Sequence, residues 1–174
     1  MKKSIILILL VFILVLSSCM MMPKNIKAVE NFNLDKYLGK WYEIARMDFV
    51  YEKNLNNTTA EYSLNDDGSV MVVNKGFDTV KQEWKVANGK AKFRGSTDVG
   101  ELKVSFFGPF YSGYNVVALS DDYAHALIFG ASLKYMWLLS RTPDIPDSVK
   151  KHFLNIASQT GYRIENLVWV EHDK

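Results

Sequence analysis

The chain has one cysteine, Cys19, among its 174 residues. A single thiol cannot close an internal disulfide, so the fold must rest on burial and hydrogen bonding even in an oxidising compartment. Histidine is almost as scarce. His125, His152 and His172 fall on separate segments, which argues against a shared metal site or a general base, and no cofactor is implied. Excess charge is also missing. There are 21 basic and 19 acidic residues, and removing Lys2 and Lys3 with the leading segment leaves nineteen of each. A nucleic-acid partner therefore has no basic surplus to bind it. Only one long hydrophobic run occurs, Ile5 to Leu16. At twelve residues it is too short to span a bilayer core of ~30 Å. Internal repeats and low-complexity stretches are absent as well.

What is present begins with that run. Lys2 and Lys3 precede it and Ser17-Ser18-Cys19 follow, the three-part pattern of an export signal. Leu16-Ser17-Ser18-Cys19 resembles the lipobox of bacterial lipoproteins. The resemblance implies cleavage before Cys19 and acylation there, leaving no free thiol nucleophile. Residues 1–18 are then a signal peptide, 19–33 a lipidated tether and 34–174 the folded domain. The 156 residues that remain after cleavage suit one domain of ordinary size. Two or more acyl chains would make membrane attachment through Cys19 nearly permanent, at about 0.8 kcal/mol per buried CH₂.

From Trp41 onward, apolar and polar residues alternate with period two between turn signals, which indicates antiparallel strands. The expected strands are 41–49, 58–64, 70–87 (kinked near Gly76), 90–95, 101–107, 114–119, 125–129 and 135–140. Asn65-Asp66-Asp67-Gly68 and Asn88-Gly89 read as hairpin turns. After Pro143 and Pro146 the period becomes helical through Val149, Phe153, Ile156 and Ala157. Asp147 or Ser148 is placed to cap this helix and Gly161 to end it. Residues 167–170 form a last short strand. Eight strands with tight turns point to a closed antiparallel up-and-down β-barrel with one helix packed outside. Closure removes exposed edges.

Gly39-Lys40-Trp41-Tyr42, Asp121-Asp122-Tyr123 and Leu138-Leu139-Ser140-Arg141 occur in order, at the start of the first strand, between the sixth and seventh, and at the end of the eighth. They resemble the three signature motifs of lipocalins. Together with the lipobox they resemble the bacterial outer-membrane lipocalins and apolipoprotein D over nearly all of the exported chain. The implied fold is an eight-stranded calycin barrel, and the implied function is lipid binding without catalysis at the outer membrane. Met20 after Cys19 agrees with sorting to that membrane. Because turns alternate between the two ends of such a barrel, Trp41, Asp121 to Tyr123 and Arg141 share one end. The resemblance implies that Arg141 stacks over Trp41 and plugs that end.

The opposite end should then be open. Alternation turns Leu102, Val104 and Phe106 inward on strand five. Tyr114, Val116 and Ala118 share a face on strand six, and Tyr135, Trp137 and Leu139 share one on strand eight. The resemblance to apolipoprotein D implies ligand contacts at Asn74, Phe106, Tyr114, Trp137 and Leu139, to which parity adds Val104 and Val116. Such a lining suits fatty acids, lysophospholipids or similar amphiphiles. A solid core built by the same side chains is the alternative, which would make this a structural or stress-related surface lipoprotein. A lipid-modifying enzyme is a further one. The Gly108–Gly113 turn is ringed by Phe107, Phe110 and Tyr111. These residues could gate the mouth, meet a bilayer, join a homodimer or pack on one another. Alternation also turns Glu43 inward, where either a kink or a basic partner must relieve it.

Overall fold

A computed structural model describes residues 26–173. Cys19 and the expected signal peptide lie outside the described residues. A short helix α1 (Leu34–Tyr37) leads into β1 (Gly39–Met47), β2 (Leu55–Leu64), β3 (Val70–Asp78), β4 (Glu83–Phe93), β5 (Glu101–Phe107), β6 (Phe110–Leu119), β7 (His125–Gly130) and β8 (Met136–Ser140). Helix α2 (Asp147–Thr160), a 3₁₀ turn (Ile164–Asn166) and β9 (Leu167–Trp169) follow. Every neighbouring pair from β1 to β8 is antiparallel. Pairing of β8 with β1 closes the barrel. Beyond Tyr42, β1 parts from β2 and its freed edge is covered by β9, with Ala45 opposite Trp169 and Met47 opposite Leu167. The expected eight-stranded up-and-down barrel is thus present, with a ninth strand added outside.

Two apolar clusters hold it together. One fills the barrel interior and includes Trp41, Tyr62, Val72, Leu102, Ile128 and Leu139. The other lies between the outer wall and α2, where Phe153 and Ala157 meet Leu127, Phe129 and Leu138. Strand β7 therefore contributes to both, Ala126 and Ile128 inward and Leu127 and Phe129 outward. A strand buried on both faces reads as a continuous apolar run, as this one does. Burial of Phe153 alone contributes about 1.5–3 kcal/mol. Gly161 ends α2 with φ of 99°, and its backbone N–H returns to the carbonyls of Ala157 and Ser158.

Four local expectations are corrected. Residues 70–87 are not one kinked strand, because the chain reverses between Asp78 and Glu83. The Asp78 carboxylate accepts hydrogen bonds from the backbone N–H groups of Val80 and Lys81, and Gln82 takes a positive φ of 57°. The apolar Val80 hides this turn in the sequence, yet it sits exposed at the tip. Asn88-Gly89 is not a hairpin but lies within β4, opposite Val73 and Val72. Glycine is needed there because the Phe106 ring lies 2.8 Å from where a Cβ would stand. The β5–β6 turn is only Gly108-Pro109, since Phe107 already pairs with Phe110. Finally, the N-cap of α2 is Pro146, without a side-chain bond from Asp147 or Ser148.

Candidate functional site

One end of the barrel is plugged. The Arg141 guanidinium carbon sits 3.9 Å from the centre of the Trp41 ring. Its nitrogens donate to the carbonyls of Lys36, Tyr37, Leu38, Lys40 and Tyr123 at 2.8–3.3 Å. The Trp41 indole N–H donates to the Tyr37 carbonyl at 2.8 Å. Gly39 needs its positive φ of 89° to bring β1 under this guanidinium. Tyr123, also at positive φ, accepts from the backbone N–H of Asn33. The turn before it is held by Asp122, which accepts from Ser120 Oγ and the backbone N–H of Ala124. The neighbouring Asp121 is exposed and, among the described residues, makes no side-chain hydrogen bond.

Above this plug lies a cavity of about 60 Å³. Six of the seven expected contacts line it: Asn74, Val104, Phe106, Tyr114, Trp137 and Leu139. Val116 faces inward but is fully buried outside the lining, against Gly100 and near Val29. A bulge between Val116 and Ala118 also breaks the expected shared face, and Ala118 packs on the helix side. Tyr114 points into the cavity, as expected, and reaches toward the plugged end. Its hydroxyl meets those of Tyr37, at 2.6 Å, and Tyr62, at 2.8 Å, which ties the cavity floor to α1. Burial pushes the pKa of all three phenols upward, so they stay neutral. Asn74 Oδ1 is buried without a hydrogen-bond partner among the described residues.

The family is decided by this arrangement together with the sequence comparisons. A family model described as a lipocalin-like domain matches residues 32–172. The outer membrane lipoprotein Blc of Citrobacter freundii is 48% identical over 160 residues, which cover 92% of this chain and 90% of the relative. Blc of Vibrio cholerae is 45% identical, covering 90% and 92%. The chain belongs to the lipocalins. Bovine apolipoprotein D is a more distant relative, 30% identical over 79% of this chain and 76% of its own length. Insecticyanin of the tobacco hornworm superposes with a TM-score of 0.70 at 19% identity, covering 89% and 88%, and so shares the fold.

The lipocalin cavity has a charged wall that alternation only half revealed. Glu43 does point inward, and a basic partner relieves it: Arg46 Nη1 donates to Glu43 Oε1 at 2.8 Å. The kink exists too, but it lies between Glu43 and Ala45 and instead brings Arg46 inward. Arg46 Nη2 donates to the carbonyls of Glu52 and Leu55, and Nε lies 3.8 Å from Glu52 Oε2. That same oxygen accepts from the Trp137 indole N–H at 3.0 Å. All three charged side chains are almost fully buried. Burial, with Glu52 adding repulsion, holds the Glu43 carboxyl well above the usual carboxylate range against the pull of Arg46. Glu52 is raised as well, again mainly by burial. One guanidinium thus serves two carboxyl groups, a pairing that favours a proton on one of them. Arg46 and Glu52 escaped sequence reasoning because a bulge and a loop place them, and neither leaves a periodic signal.

Aromatic rings crowd the mouth. In the β1–β2 loop Phe49 packs edge-on against Tyr135 and Trp137, at 5.6 and 5.7 Å. Tyr51 meets Phe107 at 5.5 Å. Outside them Val50, Tyr51, Phe107 and Phe110 are all more than 60% exposed. Tyr111 does not join this rim, because its ring lies under the Lys103 ammonium at 5.2 Å on the outer wall.

Proposed function

We propose that this lipocalin is an outer-membrane lipoprotein, anchored through Cys19 after removal of residues 1–18, that binds single-chain amphiphiles such as fatty acids and lysophospholipids and stores or moves them at the cell envelope. The observation that carries the reading is the blind, mostly apolar cavity above the Trp41–Arg141 plug, with Glu43 in its wall and its opening under the aromatic rim. The anchor and location rest on the lipobox and on the names of the Blc relatives. The side chains we assign to the ligand are Asn74, Val104, Phe106, Tyr114, Trp137 and Leu139. Binding, rather than catalysis, follows from the family.

The cavity's size shapes the mechanism. About 60 Å³ is far below the ~300–1,000 Å³ of ordinary ligand sites. An acyl chain must therefore push aside Phe106 and Trp137, with Phe49 packed on Trp137, as it enters, so the ring cluster acts as a gate. The small volume also favours a second reading, a filled barrel serving as a structural lipoprotein. Trp137 separates the two. Its indole lines the cavity and bonds Glu52, so ligand uptake should shift its emission. Lipid co-purified with a soluble form lacking residues 1–19 would be identified by mass spectrometry, and oleate and lysophosphatidylcholine would then be titrated. Saturable Trp137 emission changes support binding; no change with either, and no co-purified lipid, would favour the filled barrel. A homodimer through the exposed Phe107–Phe110 rim remains part of the proposal, checked by sedimentation.

A further inference from the structure

A second hollow, of about 260 Å³, lies on the outside of the barrel and shares only Thr59 with the lining of the lipid cavity. The strand register builds it. Tyr42 pairs with Thr59, Thr59 with Lys75 and Lys75 with Val86, so one row of outward side chains crosses four strands. Lys40 and Trp84 flank that row. A register shift in β2 between Asn56 and Thr59, with Asn57 at a positive φ of 52°, breaks the wall beside it. The C-terminal tail is strapped across the gap. Asn57 donates to Asp173, Asp173 donates back through its backbone, and a His172 ring nitrogen bonds the Glu43 carbonyl at 2.8 Å.

The chemistry of this groove is specific. Two ammonium groups are each held on an aromatic ring: Lys40 Nζ lies 4.5 Å from the centre of Tyr42, and Lys75 Nζ lies 4.2 Å from the centre of Trp84. Among the described residues neither has a carboxylate partner, whereas the one acidic side chain of the lining, Asp173, is engaged by Asn57. Trp84 is half exposed, although a large indole on an outer strand face gains nothing from water. Thr59 adds a hydroxyl to the lining. We propose that this groove binds an anionic sugar, with the acidic group on Lys40 and Lys75 and the ring's C–H face on Trp84. Point-charge ammonium groups suit phosphate without demanding the planar pairing that arginine gives. The volume falls just short of drug-sized sites, which fits one sugar ring with one anionic group. Such a ligand is either a free sugar phosphate or the phosphorylated sugar headgroup of a glycolipid.

The test uses the full lipidated chain in phosphatidylcholine nanodiscs, with glucosamine 1-phosphate titrated by calorimetry. Saturable heat is expected with glucosamine 1-phosphate and not with glucose. The double variant Lys40→Gln/Lys75→Gln should bind at least ten-fold more weakly, and Trp84→Phe should weaken binding less. All three residues are exposed, Trp84 by half, so these variants should fold, as unchanged circular dichroism would verify. Discs that also carry a lipid with a glucosamine-phosphate headgroup distinguish the sources. Suppressed binding of the soluble sugar marks the headgroup as ligand, and unchanged binding marks the free sugar. No heat with glucosamine 1-phosphate, equal heat with glucose, or an unaffected double variant would overturn the proposal.

Discussion

Replacing Arg141 with alanine should loosen the barrel while leaving its ligand preference alone. The magnitude follows from what the guanidinium touches. Of its five carbonyl partners, those of Lys36 and Lys40 are exposed and turn to water when the side chain is lost. The Tyr37 carbonyl keeps the Trp41 indole N–H. The Leu38 and Tyr123 carbonyls are part-buried and lose a charged donor, at about 1.5 kcal/mol each. The stack on Trp41 adds about 1 kcal/mol. The sum is about 4 kcal/mol. For a domain of this size each kcal/mol lowers Tm by ~2–4 °C, so a drop of ~8–16 °C is expected by circular dichroism. Lipid affinity measured at 20 °C should stay within two-fold, because Arg141 lies outside the cavity lining. An unchanged Tm combined with lost binding would refute the assignment of Arg141 as a plug.

Further outcomes follow from the cavity wall and the rim. Glu43 is held above its ordinary pKa when folded, so the native state keeps a proton that the unfolded state releases. Its contribution is full below the ordinary glutamate pKa of about 4.3 and is lost as pH rises through the raised folded value. Glu43→Gln should therefore flatten the fall of stability from pH 4.5 upward, and a urea titration series retaining the wild-type slope would contradict the buried-proton account. Phe110→Ser should slow lipid uptake from vesicles if the exposed rim meets the bilayer, with little change in Tm because Phe110 is 73% exposed. A wild-type uptake rate would assign the rim another role. Phe153→Ala should cost about 3–5 kcal/mol by opening a hole between α2 and the barrel. A loss under 1 kcal/mol on denaturant unfolding would show that α2 is not a clamp.

Much of this protein follows from local rules. Period-two alternation gives the strands, helical spacing and Gly161 give α2, and parity on β5 and β8 turns Val104, Phe106, Trp137 and Leu139 toward the cavity. The lone cysteine behind an apolar run gives the expectation of a lipid anchor, and the three motifs give the family. These are legible because each depends on residues close together in the chain. Tertiary structure decided the rest. A capping carboxylate at Asp78, rather than any glycine, reverses β3 into β4, while Gly89 stays in its strand because Phe106 presses on it. Bulges shift parity after Glu43 and after Val116, which brings Arg46 in and sends Ala118 out. The volume left inside the barrel is likewise a property of how distant rings pack, not of any segment. Alternation is a local rule, and it holds only until long-range pairing inserts one residue too many.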